Sequence, residues 1–232
     1  MKHRIWELDA FRGLSILFMI FLHLMYDLVE LYQIIDWEYP LWFRVLNKLG
    51  GIVFLVLSGL CVTLGRHCLR RGLTVLGCGM LVSAVTCGMY LFGFDKSILI
   101  YFGVLHCLGT CMILWLLFRH FPSWLLLVLG VIFIVAGLYL WDLATVDYLW
   151  LMPLGLKSAD FVSSDYFPLL PNLGYFLIGA VIGRLAYRKK VTLLPAVNPK
   201  NPAIRALTFC GRHSLIIYLL HQPILSGICM LL

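Results

Sequence analysis

Arg12-Gly-Leu-Ser-Ile-Leu-Phe-Met-Ile-Phe-Leu-His23-Leu-Met-Tyr-Asp27 belongs to an apolar run that continues to about Tyr32. A run of about 20 apolar residues is long enough to cross a bilayer as a helix. This one carries three ionisable groups. Each residue advances a helix by about 100°, so eleven steps from Arg12 bring His23 to within about 20° of the same face. Asp27, one turn further, joins that face. Ionisable groups at membrane depth cost roughly 2.5–3.5 kcal/mol each on insertion scales, so they usually face an interior and serve a function.

The rest of the chain has the same character. It is 62% hydrophobic and 12% charged, with a mean hydropathy of +0.96. Soluble domains average about 25% charged residues, so a soluble fold is excluded. The formal net charge of +7 would point to nucleic acid in a soluble protein. Here the basic residues cluster in alternate loops, as the positive-inside rule requires, and no nucleic-acid partner is expected. The first apolar run is too long for the core of a signal peptide and reads as a retained first span.

Seven apolar stretches are long enough to span, at about 13–33, 48–65, 73–93, 98–118, 123–141, 170–187 and 207–230. The N-terminus, loop 66–72, Arg119-His120 and loop 188–206 are basic. Loops 34–47 and 142–169 are acid-rich, and loop 94–97 is short. This alternation predicts an all-α polytopic transmembrane helix bundle of about seven spans, with its N-terminus cytoplasmic and its C-terminus outside. The piece Val146–Leu156 reads as interfacial or re-entrant, since Pro153 and Gly155 argue against a full span. With no repeat and no soluble appendage, residues 1–232 read as one integral-membrane domain.

The eight cysteines contain no Cys-x-x-Cys pair and lie mostly in apolar runs, so they read as packing residues rather than as a metal or disulfide framework. No metal site is expected.

Three histidines fall within predicted spans. At 1.5 Å per residue, His23 lies about 16 Å from Arg12, His221 about 13 Å from Arg212 and His106 about 20 Å from Arg119. Similar depth is what a shared mid-membrane site would require, although a lone membrane histidine also serves as a hydrogen bond between helices. His23 is the strongest candidate for catalysis. Asp27 is expected to accept a hydrogen bond from one of its ring nitrogens, leaving the other free to take a proton from a nucleophile. Arg12 lies near the cytoplasmic mouth, where it meets a phosphate or pairs with Asp9. Arg66, Arg70, Arg71, Arg184 and Arg188 surround cytoplasmic span ends. Topology alone predicts such charges, and they also suit a polyanionic donor such as coenzyme A.

The order of motifs resembles a known group. Glu7-Leu-Asp-Ala-Phe-Arg12-Gly, followed by the Arg-x10-His spacing to His23, is similar to the opening of acyltransferase family 3 proteins. Further pieces are Phe54-Leu-Val-Leu-Ser58-Gly59, Tyr101-Phe-Gly-Val-Leu-His106, Asp165-Tyr-Phe-Pro168 and Gly211-Arg-His-Ser214-Leu-Ile-Ile-Tyr218-Leu-Leu-His221-Gln-Pro223. Together they resemble the bacterial relatives of heparan-α-glucosaminide N-acetyltransferase over most of the chain. The chain departs from that pattern in being short, in lacking a histidine in loop 34–47, and in having no large extracytoplasmic domain.

The resemblance implies a membrane-bound, acetyl-CoA-dependent acyltransferase. It would move an acyl group, commonly acetyl, to a hydroxyl or amine of a glycan or lipid-linked acceptor across the membrane. It puts the motif histidine on His23, as base or acyl relay, and the motif arginine on Arg12; Asp27, from its place on the same face, would orient His23. Arg12 and the loop arginines would meet the donor's phosphates. His106, Asp165, Tyr166, Tyr218, His221 and Gln222 would line the substrate chamber. The expected setting is the bacterial inner membrane, and the lipid-facing surface leaves room for a homodimer. The competing reading is a transporter or lipid flippase using the same polar chamber; it would release no coenzyme A from acyl-CoA. A haem carrier is disfavoured by the dispersed histidines.

Overall fold

The computed structural model describes residues 5–143, 149–158 and 160–231, and among these the chain is all-helical. The helices are α1 (Trp6–Tyr26), α2 (Leu41–Val62), α3 (Cys68–Leu91), α4 (Val104–Phe118), α5 (Ser123–Leu143), α6 (Leu169–Ala186), α7 (Pro202–Arg212) and α8 (Ser214–Cys229). Five helical segments are long and apolar enough to cross a membrane: Trp6–Leu31, Leu41–Val62, Cys68–Leu91, Ser123–Trp141 and Leu169–Ala186. The protein is therefore an integral, multi-pass membrane protein.

Two of the seven expected spans take a different form. The stretch 98–118 yields only the 15-residue α4, about 22 Å long, because residues 99–103 are non-helical and helix begins only after Gly103. The stretch 207–230 is broken at His213, whose φ/ψ of −104°/14° interrupts the helix. α7 and α8 meet there at 84° and supply a sixth span only if the bent pair counts as one. α7 also begins earlier than hydropathy suggests. The Asn201 side chain caps it by accepting from Ala203 N, and Pro202 occupies its first turn. Of the expected re-entrant piece, residues 146–148 lie outside the described residues. Leu149–Leu154 forms a 3-10 turn containing Pro153, and it is followed by Gly155 at φ +117°.

The chain forms two compact units, with the boundary inside α2: Met1–Phe54 with Lys189–Leu232, and Leu55–Arg188.

In the first unit α1 packs on α7 at a glycine crossing. A Cβ added to Gly13 would strike the carbonyl of Leu207, and one on Gly211 would strike that of Asp9. Small residues at such crossings let backbones approach closely. Buried Asp9 sits beside both Arg12 and Arg212, at 3.5 Å each. The Glu7 carboxylate accepts from the Thr192 hydroxyl and the Leu193 amide, both at 2.8 Å, and so ties the 191–194 loop to the start of α1.

In the second unit α3 pairs with α4 and α5 with α6. The loop after α3 lies along the loop before α6: Phe167 N donates to Phe102 O at 2.9 Å and Ser164 N to Leu99 O at 3.1 Å. All eight cysteines are free thiols. Cys107 and Cys111, both fully buried, touch at 4.0 Å between sulfurs.

Candidate active site

His23 in the last turn of α1 and Asp27 just after that helix lie one turn apart, but each engages a partner of its own. His23 Nδ1 lies 3.0 Å from Met19 O. A carbonyl only accepts, so Nδ1 carries the proton and Nε2 is left with its lone pair. Asp27, fully buried, accepts from the Gln222 amide nitrogen at 2.8 and 3.0 Å. The expected hydrogen bond from His23 to Asp27 is therefore replaced by two others. The physical reason is side-chain direction. Helical side chains lean toward the N-terminus, which carries the His23 ring back over Met19 and away from the next turn. Asp27 opens a π-helical turn, Asp27–Leu31, closed by Tyr32 N donating to Asp27 O at 2.8 Å. Such turns recur at functional sites.

α8 brings a second imidazole. The rings of His23 and His221 stand edge to face, with centroids 4.8 Å apart and planes at 88°. His221 Nδ1 is hydrogen-bonded to the carbonyl of Tyr218, so its Nε2 also holds a lone pair. His221 is only 7% exposed. Its Nε2, and the Gln222 amide oxygen, are buried without a hydrogen-bond partner among the described residues. Two imidazole nitrogens, an amide oxygen and a carboxylate thus form a cluster rich in acceptors. Such a cluster suits a reacting group that brings a proton.

A family model described as "Heparan-alpha-glucosaminide N-acetyltransferase, catalytic" matches residues 4–223. The chain belongs to that family. At that level it is a membrane acetyltransferase, and the matched region includes His23, Asp27, His221 and Gln222. No curated protein and no solved structure matches the chain.

Four other candidates in this acetyltransferase chain, His106, Asp165, Tyr166 and Arg184, lie in the second unit, and their hydrogen bonds hold its loops. His106 Nδ1 accepts from Gly103 N at 3.2 Å, so its proton is on Nε2, which faces Ser83 Oγ at 3.3 Å. Ser83 Oγ donates onward to Ile100 O. Both nitrogens of His106 are used in fixing the start of α4. Asp165 serves the same end by accepting from Val104 N at 3.0 Å. Tyr166 donates to Met152 O at 2.7 Å, and burial pushes its phenol up to about 12. Asp165→Ala is expected to cost about 0.5–2 kcal/mol, as loss of a helix cap does. Denaturant titration of the detergent-purified protein checks this, and an unchanged midpoint would remove the capping role.

Arg184 donates to Phe121 O and Arg119 O, each at 2.6 Å, and lies 5.0 Å over the Trp115 ring. It fastens the C-terminal end of α4. Arg66, Arg70, Arg71 and Arg188 are exposed. Arg12 lies beside Asp9, at 3.5 Å, the neighbour its sequence spacing also allowed. Among the described residues no group of three or more His, Cys, Asp or Glu is arranged to hold a metal.

Sequence reasoning did not single out Arg212 or Ser83. Arg212 lies in the quoted Gly211-Arg-His-Ser214 piece, so a second cation for Asp9 was open to inference. Ser83 is a lone hydroxyl in an apolar run and gives no signal of its own.

Proposed function

We propose that this chain transfers an acetyl group from acetyl-CoA to a hydroxyl or amine of a glycan or lipid-linked acceptor across the membrane. His23 acts as the base or acyl relay. The observation that carries this reading is the His23–His221 pair beside the buried Asp27–Gln222 pair, in a chain of an acetyltransferase family. Acyl transfer from a thioester needs the acceptor's proton removed as the new bond forms. His23 Nε2 has the free lone pair for that step. Asp27 works through its charge: a buried carboxylate one turn away favours the imidazolium that forms. Tyr218, His221 and Gln222 line the reacting chamber.

The donor's phosphates fit the exposed Arg66, Arg70, Arg71 and Arg188, whose guanidiniums bind phosphate in a bidentate manner. Arg184 supports that surface through its contacts with the Phe121 and Arg119 carbonyls. The basic loops support a cytoplasmic N-terminus, and with it a donor on that side and an acceptor on the other. The setting that fits is a bacterial inner membrane.

The test is acetyl-CoA binding to detergent-purified protein, followed by thermal shift and calorimetry. Wild type is expected to bind saturably. An Arg70→Ala/Arg71→Ala variant is expected to bind about tenfold or more weakly, since each charged hydrogen bond contributes about 1.5–3 kcal/mol. No binding by folded wild type, together with no release of coenzyme A, would move the chain to the transporter reading.

A further inference from the structure

Acyl transfer moves one proton as well as one acyl group. The acceptor loses a proton from oxygen or nitrogen, and the departing sulfur gains one. A single imidazole must reach both atoms. This chain holds two imidazoles in contact on two different helices, with ring centroids 4.8 Å apart. Each ring is locked in the same tautomer by a carbonyl of its own helix, Met19 O for His23 and Tyr218 O for His221. Each therefore presents Nε2 as a base. His221 is more than nine-tenths buried, and its Nε2 has no hydrogen-bond partner among the described residues. An unpartnered buried acceptor is costly to the fold and marks a group kept for a reacting partner.

We propose that His221 is the second proton station of the reaction, so that the two imidazoles carry one proton between acceptor and thiolate. The inference rests on the acyl-transfer reading above. As the acceptor's oxygen or nitrogen bonds to the thioester carbon, its proton passes to His23 Nε2. The carbon–sulfur bond breaks and its electron pair leaves on sulfur. The proton moves from His23 to His221 Nε2 and from there to the thiolate. Both imidazoles return to the neutral form, and coenzyme A leaves as the thiol. No other reactant is consumed. The buried carboxylate of Asp27, held by Gln222 on the same helix as His221, balances the positive charge while the proton is in transit.

The experiment uses the full chain in detergent or nanodiscs, with acetyl-CoA as donor and D-glucosamine as acceptor probe, reading coenzyme A thiol release. His221→Asn keeps an N–H able to reach Tyr218 O and removes the second base; His221→Gln serves if the first variant fails to fold. The expected result is a fall in kcat of about 10²-fold with KM for acetyl-CoA unchanged. The proton inventory in mixed light and heavy water should change from curved in wild type to linear in the variant, and added imidazole should restore part of the rate in His221→Ala, whose side chain leaves the ring's space open. A merely structural role for His221 would move neither the proton inventory nor the imidazole rescue.

A variant as fast as wild type overturns the proposal and leaves the acyl-transfer reading standing. So does a slow variant whose proton inventory is that of wild type. Wild type that releases no coenzyme A overturns both together.

Discussion

His23→Gln is expected to lower kcat/KM for acetyl transfer by about 10²–10⁴-fold, the range that a positioned general base contributes. Acetyl-CoA binding and the unfolding midpoint should stay near wild type. Glutamine keeps a donor for Met19 O, which is the only hydrogen bond described for the His23 ring. It removes the basic Nε2. His23 is half-buried rather than sealed in the core, so the substitution opens no large cavity. The measurement is coenzyme A release at saturating donor, with thermal unfolding in parallel. A folded His23→Gln protein that turns over within a few-fold of wild type would remove His23 from the chemistry. A variant that loses stability along with activity would instead give His23 a packing role. His23→Ala should be slower still, and exogenous imidazole should restore part of the rate in Ala but not in Gln, whose side chain fills the vacated space.

The polar stripe on α1 was legible because it depends only on helical period: Arg12, His23 and Asp27 fall on one face whatever surrounds them. The helical class was legible for a similar reason, since apolar length and low charge are properties of the chain alone. What each polar group binds was not. Asp27 pairs with Gln222, 195 residues away, and nothing within α1 encodes that choice. His106 illustrates the same limit. Its place in an apolar run gives a depth, but its use as a helix cap depends on Gly103 and Ser83 meeting both ring nitrogens. Hydropathy also passes over breaks in the backbone. The stretch 207–230 is apolar enough as a whole to read as one span, yet the chain turns at His213 by 84°. The alternative partner for Arg12 was readable, because Asp9 stands three residues earlier and helical neighbours at that spacing meet. That Arg212 shares Asp9 was a tertiary fact, beyond any window of the sequence.

Gly13→Ala is expected to destabilise the protein by about 3 kcal/mol, the upper end of what overpacking costs. The added methyl has nowhere to go. It would strike the Leu207 carbonyl and come within 2.8 Å of the Leu207 carbonyl carbon and 3.0 Å of Gly211 N, all backbone atoms rather than yielding side-chain tips. Relief requires α1 and α7 to separate, which also pulls Asp9 away from Arg212. Gly77→Ala in α3 supplies the control with the opposite sign. Nothing lies within 4 Å of its new methyl, so removing a flexible residue from a helix should stabilise by about 0.4–1 kcal/mol. Both are read from detergent-denaturation midpoints. Equal midpoints for Gly13→Ala and wild type would mean that α1 and α7 do not cross at Gly13 and Gly211. Activity should fall as well, although neither glycine touches the reacting groups. The crossing precedes His23 on α1 and His221 on the α7–α8 arm, so it sets the register in which the two imidazoles meet. A Gly13→Ala protein that is less stable yet fully active at low temperature would show that the imidazole pair is held by α8 alone.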